Sequence, residues 1–154
     1  MADTKRLKWG EPLASLDIPV AAAVTIYLGD LVVRNAAGYA ERRTSATLVA
    51  ADQFVGVATA QVDNSDGAAG DLKVPVDFGR RYRFPNSTTD PVLAAHRQCY
   101  LEDYTTVCAF RDDGDTINVP GGMVVYADSS VVDFIVGIAS QWDILSRIEV
   151  LEGY

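Results

Sequence analysis

The residue types that carry most nucleophilic and metal chemistry are scarce in this chain of 154 residues, which has one histidine and two cysteines. His96 precedes Cys99 by three positions, but neither lies in a Ser-His-Asp or Cys-His motif. The two cysteines, Cys99 and Cys108, lack C-x-x-C spacing, and together with one histidine they do not make a standard zinc set. We therefore expect no catalytic residue, no metal site and no cofactor.

Two acidic runs, at 63–66 and 112–115, offer several oxygen ligands within a few residues. Neither continues to the glutamate at the twelfth position of an EF-hand loop, so they indicate polar turns, with weak cation binding as the alternative. No G-x-x-x-x-G-K-[ST] motif is present, which argues against nucleotide binding. A carboxylate-dependent hydrolase would need two of the 21 acidic residues to meet in space, and the sequence selects no pair.

The segment GRRYRFP at 79–85 interleaves arginines with aromatic residues in an acidic chain: Arg80, Arg81, Tyr82 and Arg83. Arginine and tyrosine are enriched at the energetic centres of protein interfaces, so we interpret the segment as a contact surface. The alternative is a solvated strand whose arginines pair with nearby acids.

The first twelve residues predict an extended arm that carries Lys5, Arg6, Lys8 and Trp9. The whole chain has a net charge of −8, which argues against general nucleic-acid binding and against docking on anionic membranes. The N-terminus lacks the apolar run of a signal peptide, and no stretch reaches the roughly 18 apolar residues of a membrane span, so we expect a cytosolic product. A protein partner is favoured.

The elements that position these residues are predicted to be mostly strands. They are expected to form a single β-rich domain at 13–154, which follows the arm at 1–12. Residues 18–33 indicate two strands separated by Gly29 and Asp30, and Asn35 to Gly38 a hairpin turn. Residues 62–71 predict an exposed loop, and Pro75 places the strand at 72–78 at a sheet edge or a bulge. Residues 89–96 predict a short helix and 47–52 one helical turn. A hairpin centred between residues 103 and 104 would pair Cys99 with Cys108 and permit a disulfide, although free thiols are the default.

Two nearly identical phrases occur in the chain, DQFVGVA at 52–58 and DFIVGIA at 133–139. Aligning Gly56 with Gly137 suggests two hairpin-plus-strand units, the second carrying an insertion most simply placed at 112–122. A glycine inside a strand weakens it, so both glycines are expected where a strand bends or lies against another backbone in a small rolled sheet.

The ordered set TIYLGDLVVRNAAGYA, FVGVATAQVDNSDGAAGD, QCYLEDYTTVC and FIVGIA resembles the capsid cement (head decoration) proteins of tailed bacteriophages. The resemblance covers roughly residues 20–140. It implies a mostly β domain, a small rolled sheet or a β-barrel or β-tulip-like domain with one or two short helices and an extended N-terminal arm.

The resemblance also implies a function. The protein would be assembled in the host cytoplasm, bind the outside of the expanded head and bridge major capsid protein subunits as a homo-oligomer, with a homotrimer favoured over a homodimer. GRRYRFP is not part of the family pattern. The competing hypotheses are a β-rich tail, fibre or carbohydrate-binding virion protein, with Trp9, Tyr82 and Tyr104 as its platform, and the hydrolase considered above.

Overall fold

The computed structural model describes residues 14–111 and 117–136, which form twelve strands and contain no helix. The first six strands are β1 (Ala14–Pro19), β2 (Val24–Ile26), β3 (Leu31–Arg34), β4 (Ala40–Glu41), β5 (Gln53–Ala58) and β6 (Val62–Asn64). The other six are β7 (Lys73–Phe78), β8 (Arg81–Pro85), β9 (Gln98–Leu101), β10 (Val107–Cys108), β11 (Val119–Ala127) and β12 (Val131–Val136). The mostly β prediction is confirmed; the predicted arm lies outside the described residues.

The strands form two five-stranded sheets with the same topology. One sheet has the order β1-β7-β5-β3-β4, the other β8-β12-β11-β9-β10, and β2 pairs with β6 in a separate ribbon. If the ribbon is set aside, each sheet places its first, fifth, fourth, second and third strands side by side in that order. We call the first set, β1, β3, β4, β5 and β7, unit 1, and the second set, β8 to β12, unit 2.

Both sheets curl into half-barrels through equivalent contacts. In unit 1 the residue after β1, Val20, forms a parallel bridge to Ala40 in β4; in unit 2 the residue after β8, Asn86, forms one to Val107 in β10. The next residue donates a backbone hydrogen bond to the same strand, from Ala21 N to Ala40 O (3.0 Å) and from Ser87 N to Val107 O (2.8 Å). The duplication therefore extends to individual hydrogen bonds.

A second pair of equivalent bonds joins β5 and β11 to the chain before β3 and β9. Gly29 N donates to Ala58 O (2.8 Å), and His96 N donates to Val124 O (2.7 Å). Gly29 and His96 both have positive φ, +88° and +63°. His96 thus occupies the position of a turn glycine and carries the strain of a left-handed backbone in a non-glycine residue.

The counterpart of Gly56 in the fold is Gly122, because β11, and not β12, is the equivalent of β5. Gly56 pairs with Val32 and Gly122 with Cys99, each beside a register shift. A Cβ added at Gly56 would collide with the backbone oxygen of Asp77 in β7, and one at Gly122 with that of Ile135 in β12. The alignment of Gly56 with Gly137 is therefore wrong as a structural equivalence, although Gly137 itself lies outside the described residues. The predicted close approach to another backbone is confirmed for Gly56.

The core consists of two clusters, and the strands of unit 1 contribute to both. The smaller cluster fills the half-barrel of unit 1 and includes Val32, Val55 and Ala58. The larger cluster joins the two units. From unit 1 it takes Leu31, Val33, Leu48, Phe54, Val57 and Phe78, and from unit 2 Phe84, Val92, Cys99, Leu101, Val107, Val119, Val124, Val132 and Phe134.

The helix predicted at 89–96 is absent, and so is the helical turn at 47–52, where the chain makes hydrogen-bonded turns. The buried Asn86 side chain accepts from Val92 N and donates to Val92 O, both at 2.9 Å. Ser87 Oγ accepts from Asp90 N (3.0 Å), while Asp90 O accepts from Ala109 N (2.9 Å). Because side chains and the residue after β10 take these backbone groups, a helical ladder does not form.

The other local predictions have mixed outcomes. The hairpin turn is confirmed: Asn35 Oδ1 accepts from Ala37 N and Tyr39 N, and Gly38 has a φ of +94°. The loop at 62–71 begins later than predicted, since residues 62–64 form β6. Pro75 is at neither an edge nor a bulge, because β7 lies between β1 and β5. The Pro75 carbonyl accepts from Thr59 N, just after β5, so Pro75 faces the end of the β5 ladder. Its missing N–H is therefore tolerated there.

The cysteine hairpin forms with a register one residue away from the one that would pair the two thiols. Cys108 lies opposite Tyr100, and both cysteines are free and fully buried. Burial raises the pKa of Cys99 to about 12 and that of Cys108 to about 11, so both thiols stay protonated near neutral pH.

Candidate interaction surfaces

The GRRYRFP segment forms the turn into β8 and then β8 itself, whose side chains alternate between the core and the surface. Tyr82 packs against the larger core cluster and Phe84 belongs to it. Arg81 and Arg83 point to the opposite face, with side chains 61% and 62% exposed. The strand period therefore separates the aromatic residues from the arginines instead of joining them in one surface.

Asp133 in β12 binds both outward arginines. Arg83 donates from Nε to Asp133 Oδ1 (2.6 Å) and from Nη2 to Oδ2 (3.0 Å), and Arg81 Nη2 donates to Oδ2 (2.8 Å). The hydrogen bonds from Arg83, followed by those from Arg81, lower the pKa of Asp133 to about 2. Arg80 instead pairs with Asp77 at 3.2 Å. The alternative interpretation, arginines that pair with nearby acids, describes these contacts, while the guanidinium groups of Arg81 and Arg83 remain largely exposed.

A second cluster, which the sequence did not predict, lies where the two units meet. The Arg42 guanidinium carbon lies 3.5 Å from the ring centre of Tyr104 and 4.8 Å from that of Tyr27. Arg42 Nε donates to the buried carboxylate of Asp30 (2.8 Å), which also accepts from Tyr27 N (2.9 Å). We call these four residues the Arg42 clamp.

The Arg42 clamp fixes the turn that carries the most exposed apolar side chain of this region. Leu31 N donates to Tyr104 O (2.9 Å), which ties β3 to the β9–β10 hairpin. Leu28, between Tyr27 and Gly29, is 70% exposed. A rigid turn that presents leucine beside stacked tyrosine and arginine has the composition of a protein contact site.

Two of the surface grooves formed by the described residues lie beside these units. The first, of about 390 Å³, is lined by residues at the open end of unit 1: Leu16, Asp17, Ile18, Arg34, Gln53 and Phe54 among others. The second, of about 500 Å³, lies on unit 2 and is lined by Leu93, Arg97, Gln98, Tyr100, Ala109 and Phe110 among others. Both are shallow and partly apolar, which suits contact with another protein surface.

The other residues singled out in the sequence do not come together in one site. Tyr82 packs on the core and Tyr104 stacks on Arg42, so the two do not share an exposed carbohydrate platform. Lys5, Arg6, Lys8 and Trp9 lie outside the described residues, as does the acidic run at 112–115.

The acidic run at 63–66 begins in β6, at residues 63–64, and ends in an ordinary turn at residues 65–66. The Asp63 carboxylate accepts from Ser65 N (3.0 Å) and from the Thr25 hydroxyl (2.8 Å). Hydrogen bonds from the side chain and backbone of Ser65, followed by the one from Thr25, lower the pKa of Asp63. Across the residues that the structure describes, no three His, Cys, Asp or Glu side chains are grouped so as to hold a metal ion. The same part of the chain contains no helix long and apolar enough to cross a membrane.

Comparison with protein families, curated proteins and solved structures finds no match for this chain.

Proposed function

We propose that the protein is a structural virion protein that binds the outer surface of an expanded phage head and bridges major capsid protein subunits. The carrying observation is that two of the motifs behind the family resemblance meet in space. The phrase TIYLGDLVV supplies Tyr27 and Asp30, and the hairpin QCYLEDYTTVC supplies Tyr104; all three contact Arg42. This contact supports the interpretation that the two motifs belong to one structural unit.

The described surfaces also favour a binding role over catalysis. The polar clusters that stand out are ion pairs and stacked rings, as at Asp133 and Arg42, and both thiols are buried and protonated. Such rigid, partly apolar surfaces lower the entropy lost on association with a large partner.

In this proposal the arm at 5–12 becomes ordered on docking and adds backbone hydrogen bonds to a strand of the capsid, while Trp9 fills a pocket. Arg81 and Arg83 contact acidic groups on the partner or on a neighbouring copy. A homotrimer suits three-fold positions on a shell, with a homodimer as the alternative, and the finer fold would be β-tulip-like. Modest contacts become collectively strong through the many copies on one head.

The test uses expanded, undecorated heads of the phage that encodes the chain. Mixing them with purified protein is expected to give saturable binding and a higher temperature of head disruption. A variant lacking residues 1–12 is the matched control, expected to stay folded and lose affinity. Absence of binding by the full chain would overturn the proposal.

A receptor-binding or carbohydrate-binding virion protein remains the alternative from the sequence. Binding to a glycan array, together with no binding to heads, would favour it. The hydrolase hypothesis requires two acids whose replacement abolishes turnover and leaves the fold intact.

A further inference from the structure

The two units are equivalent in topology but not in what covers them. The face of unit 1 that enters the larger core cluster is formed by Leu31, Val33, Phe54 and Val57, all buried. The strand registers place their counterparts in unit 2 at Gln98, Tyr100, Pro120 and Met123, none of which is buried. We call these two sets the outer faces of unit 1 and unit 2.

The open ends of the half-barrels show the opposite difference. At the mouth of unit 2, Leu101 and Val119 are each 1% exposed within the larger cluster. Their counterparts at the mouth of unit 1 are Arg34 and Gln53, which are exposed and line the first groove. Leu16, beside them, is 41% exposed, whereas its counterpart Tyr82 packs on the cluster.

The contact between the units is therefore directional. The outer face of unit 1 and the mouth of unit 2 are buried in one cluster, and the hairpin tip of unit 2 at Tyr104 bonds to Leu31 on that outer face. The equivalent outer face of unit 2 and the equivalent mouth of unit 1 take no part in this contact. Within the described residues, the chain thus presents one uncovered surface of each kind.

Large apolar side chains beside the outer face of unit 2 are exposed to solvent. Leu93 is 83% exposed and Phe110 59% exposed, and Phe110 packs edge-on against Tyr100 with ring centres 5.5 Å apart. This surface borders the 500 Å³ groove. Large exposed apolar side chains that cluster around a groove mark contact sites for other proteins.

We propose that copies of this chain associate head to tail, with the outer face of unit 2 in one copy seated on the mouth of unit 1 in the next. The contact repeats between chains the one that joins the two units within a chain. Asp17 in the mouth of unit 1 offers an acidic partner to Arg97 in the groove of unit 2, although the same mouth also carries Arg34. The Arg34 to Gln53 hydrogen bond (2.9 Å) keeps this mouth polar, which gives a wetter and weaker contact than the one inside the chain.

A head-to-tail contact is heterologous, so it closes into a ring or continues as a filament. A closed three-membered ring would supply the homotrimer of the proposed function, but the contact itself needs no capsid. The two proposals therefore fail separately. A monomer that binds heads would overturn head-to-tail association alone, and an oligomer held by these faces that binds no heads would overturn the capsid role alone.

The test is the solution mass of three variants beside the native chain, whose monomer is 16.6 kDa, by light scattering after size exclusion. Phe110→Asp alters the outer face of unit 2, and Leu16→Asp alters the mouth of unit 1. Leu72→Asp is the matched control, because Leu72 is also an exposed leucine and lies in neither groove. Circular dichroism and urea unfolding establish that each variant is folded.

The native chain and Leu72→Asp are expected to be oligomers. Phe110→Asp and Leu16→Asp are each expected to weaken self-association by roughly tenfold or more, since each replaces an apolar side chain of the contact by a carboxylate that would lose water on association. A mixture of these two variants retains one intact pair of faces, so it should form a two-chain complex that neither variant forms alone. A monomeric native chain, an unchanged mass of both variants, or a mixture that stays monomeric would overturn the inference.

Discussion

Replacement of Gly56 by alanine tests the backbone contact that both units share. The residue has a φ of +147°, and an added Cβ would collide with the Asp77 carbonyl oxygen in the neighbouring strand. The strained backbone costs about 1–3 kcal/mol, and the overpacking adds about 1–3 kcal/mol. We expect Gly56→Ala to lower the free energy of unfolding by about 2–6 kcal/mol, the sum of the two contributions and a large share of the roughly 5–15 kcal/mol typical of a domain.

Gly38→Ala separates the two contributions. Gly38 has a φ of +94°, but a Cβ added there would meet no atom within 4 Å, so only the backbone strain of about 1–2 kcal/mol applies. Gly122→Ala should show the collision alone, because its Cβ would meet the Ile135 carbonyl oxygen, and should cost about 1–3 kcal/mol.

Urea unfolding measures these differences as shifts in the midpoint at constant m-value. The reasoning would be refuted if Gly56→Ala were no more destabilising than Gly38→Ala. If Gly122→Ala were within about 0.5 kcal/mol of the native chain, the structural equivalence of the two glycines would lose its physical basis.

The remaining predictions concern charge and the arm. Asp133 keeps a pKa of about 2 in the folded state, so its contribution to stability is complete above the unfolded pKa of about 4 and is lost as the pH falls toward 2. The urea midpoints of the native chain and of Asp133→Asn should therefore approach each other between about pH 4 and pH 2. Arg42→Ala should destabilise the protein by about 1–3 kcal/mol, because it removes the stacking on Tyr104 and leaves the buried Asp30 carboxylate without its cation. Thermal unfolding should show that Arg42→Lys restores only part of this loss. Deletion of residues 1–12 should leave a folded oligomer that has lost affinity for heads, whereas unfolding of the truncated protein would place the arm in the core.

Local turn chemistry explains which parts of the fold the sequence could predict. The hairpin at 35–38 depends on an asparagine that bonds the next backbone groups and on a glycine with positive φ, both encoded within four residues. The helix at 89–96 failed because the same capping residues also stabilise loops, and the deciding contacts come from Asn86 and the distant Ala109.

The repeat shows how a sequence can indicate duplication and still assign the wrong partners. The two similar phrases share a short continuous apolar run of the kind found in fully buried strands, and β5 and β12 each contain at least three consecutive buried residues. Equivalence is instead defined by hydrogen bonds and by the close approach of Gly56 and Gly122 to neighbouring carbonyl groups. These features depend on sheet order, which the phrase itself does not encode.

The candidate surfaces were predictable only in composition. The arginines of GRRYRFP stood out, but their shared partner Asp133 lies 50 residues from Arg83 along the chain. The Arg42 clamp joins residues from three separate segments, and no local pattern marks Arg42 as the cation between two tyrosines.

The measurement that tests the central claim most directly is the number of protein copies bound per major capsid protein subunit on expanded heads at saturation. A fixed, small-integer ratio that is reached cooperatively with a rise in the disruption temperature is the result we predict. Binding that never saturates, or none at all under conditions where the heads remain intact, would contradict a capsid role.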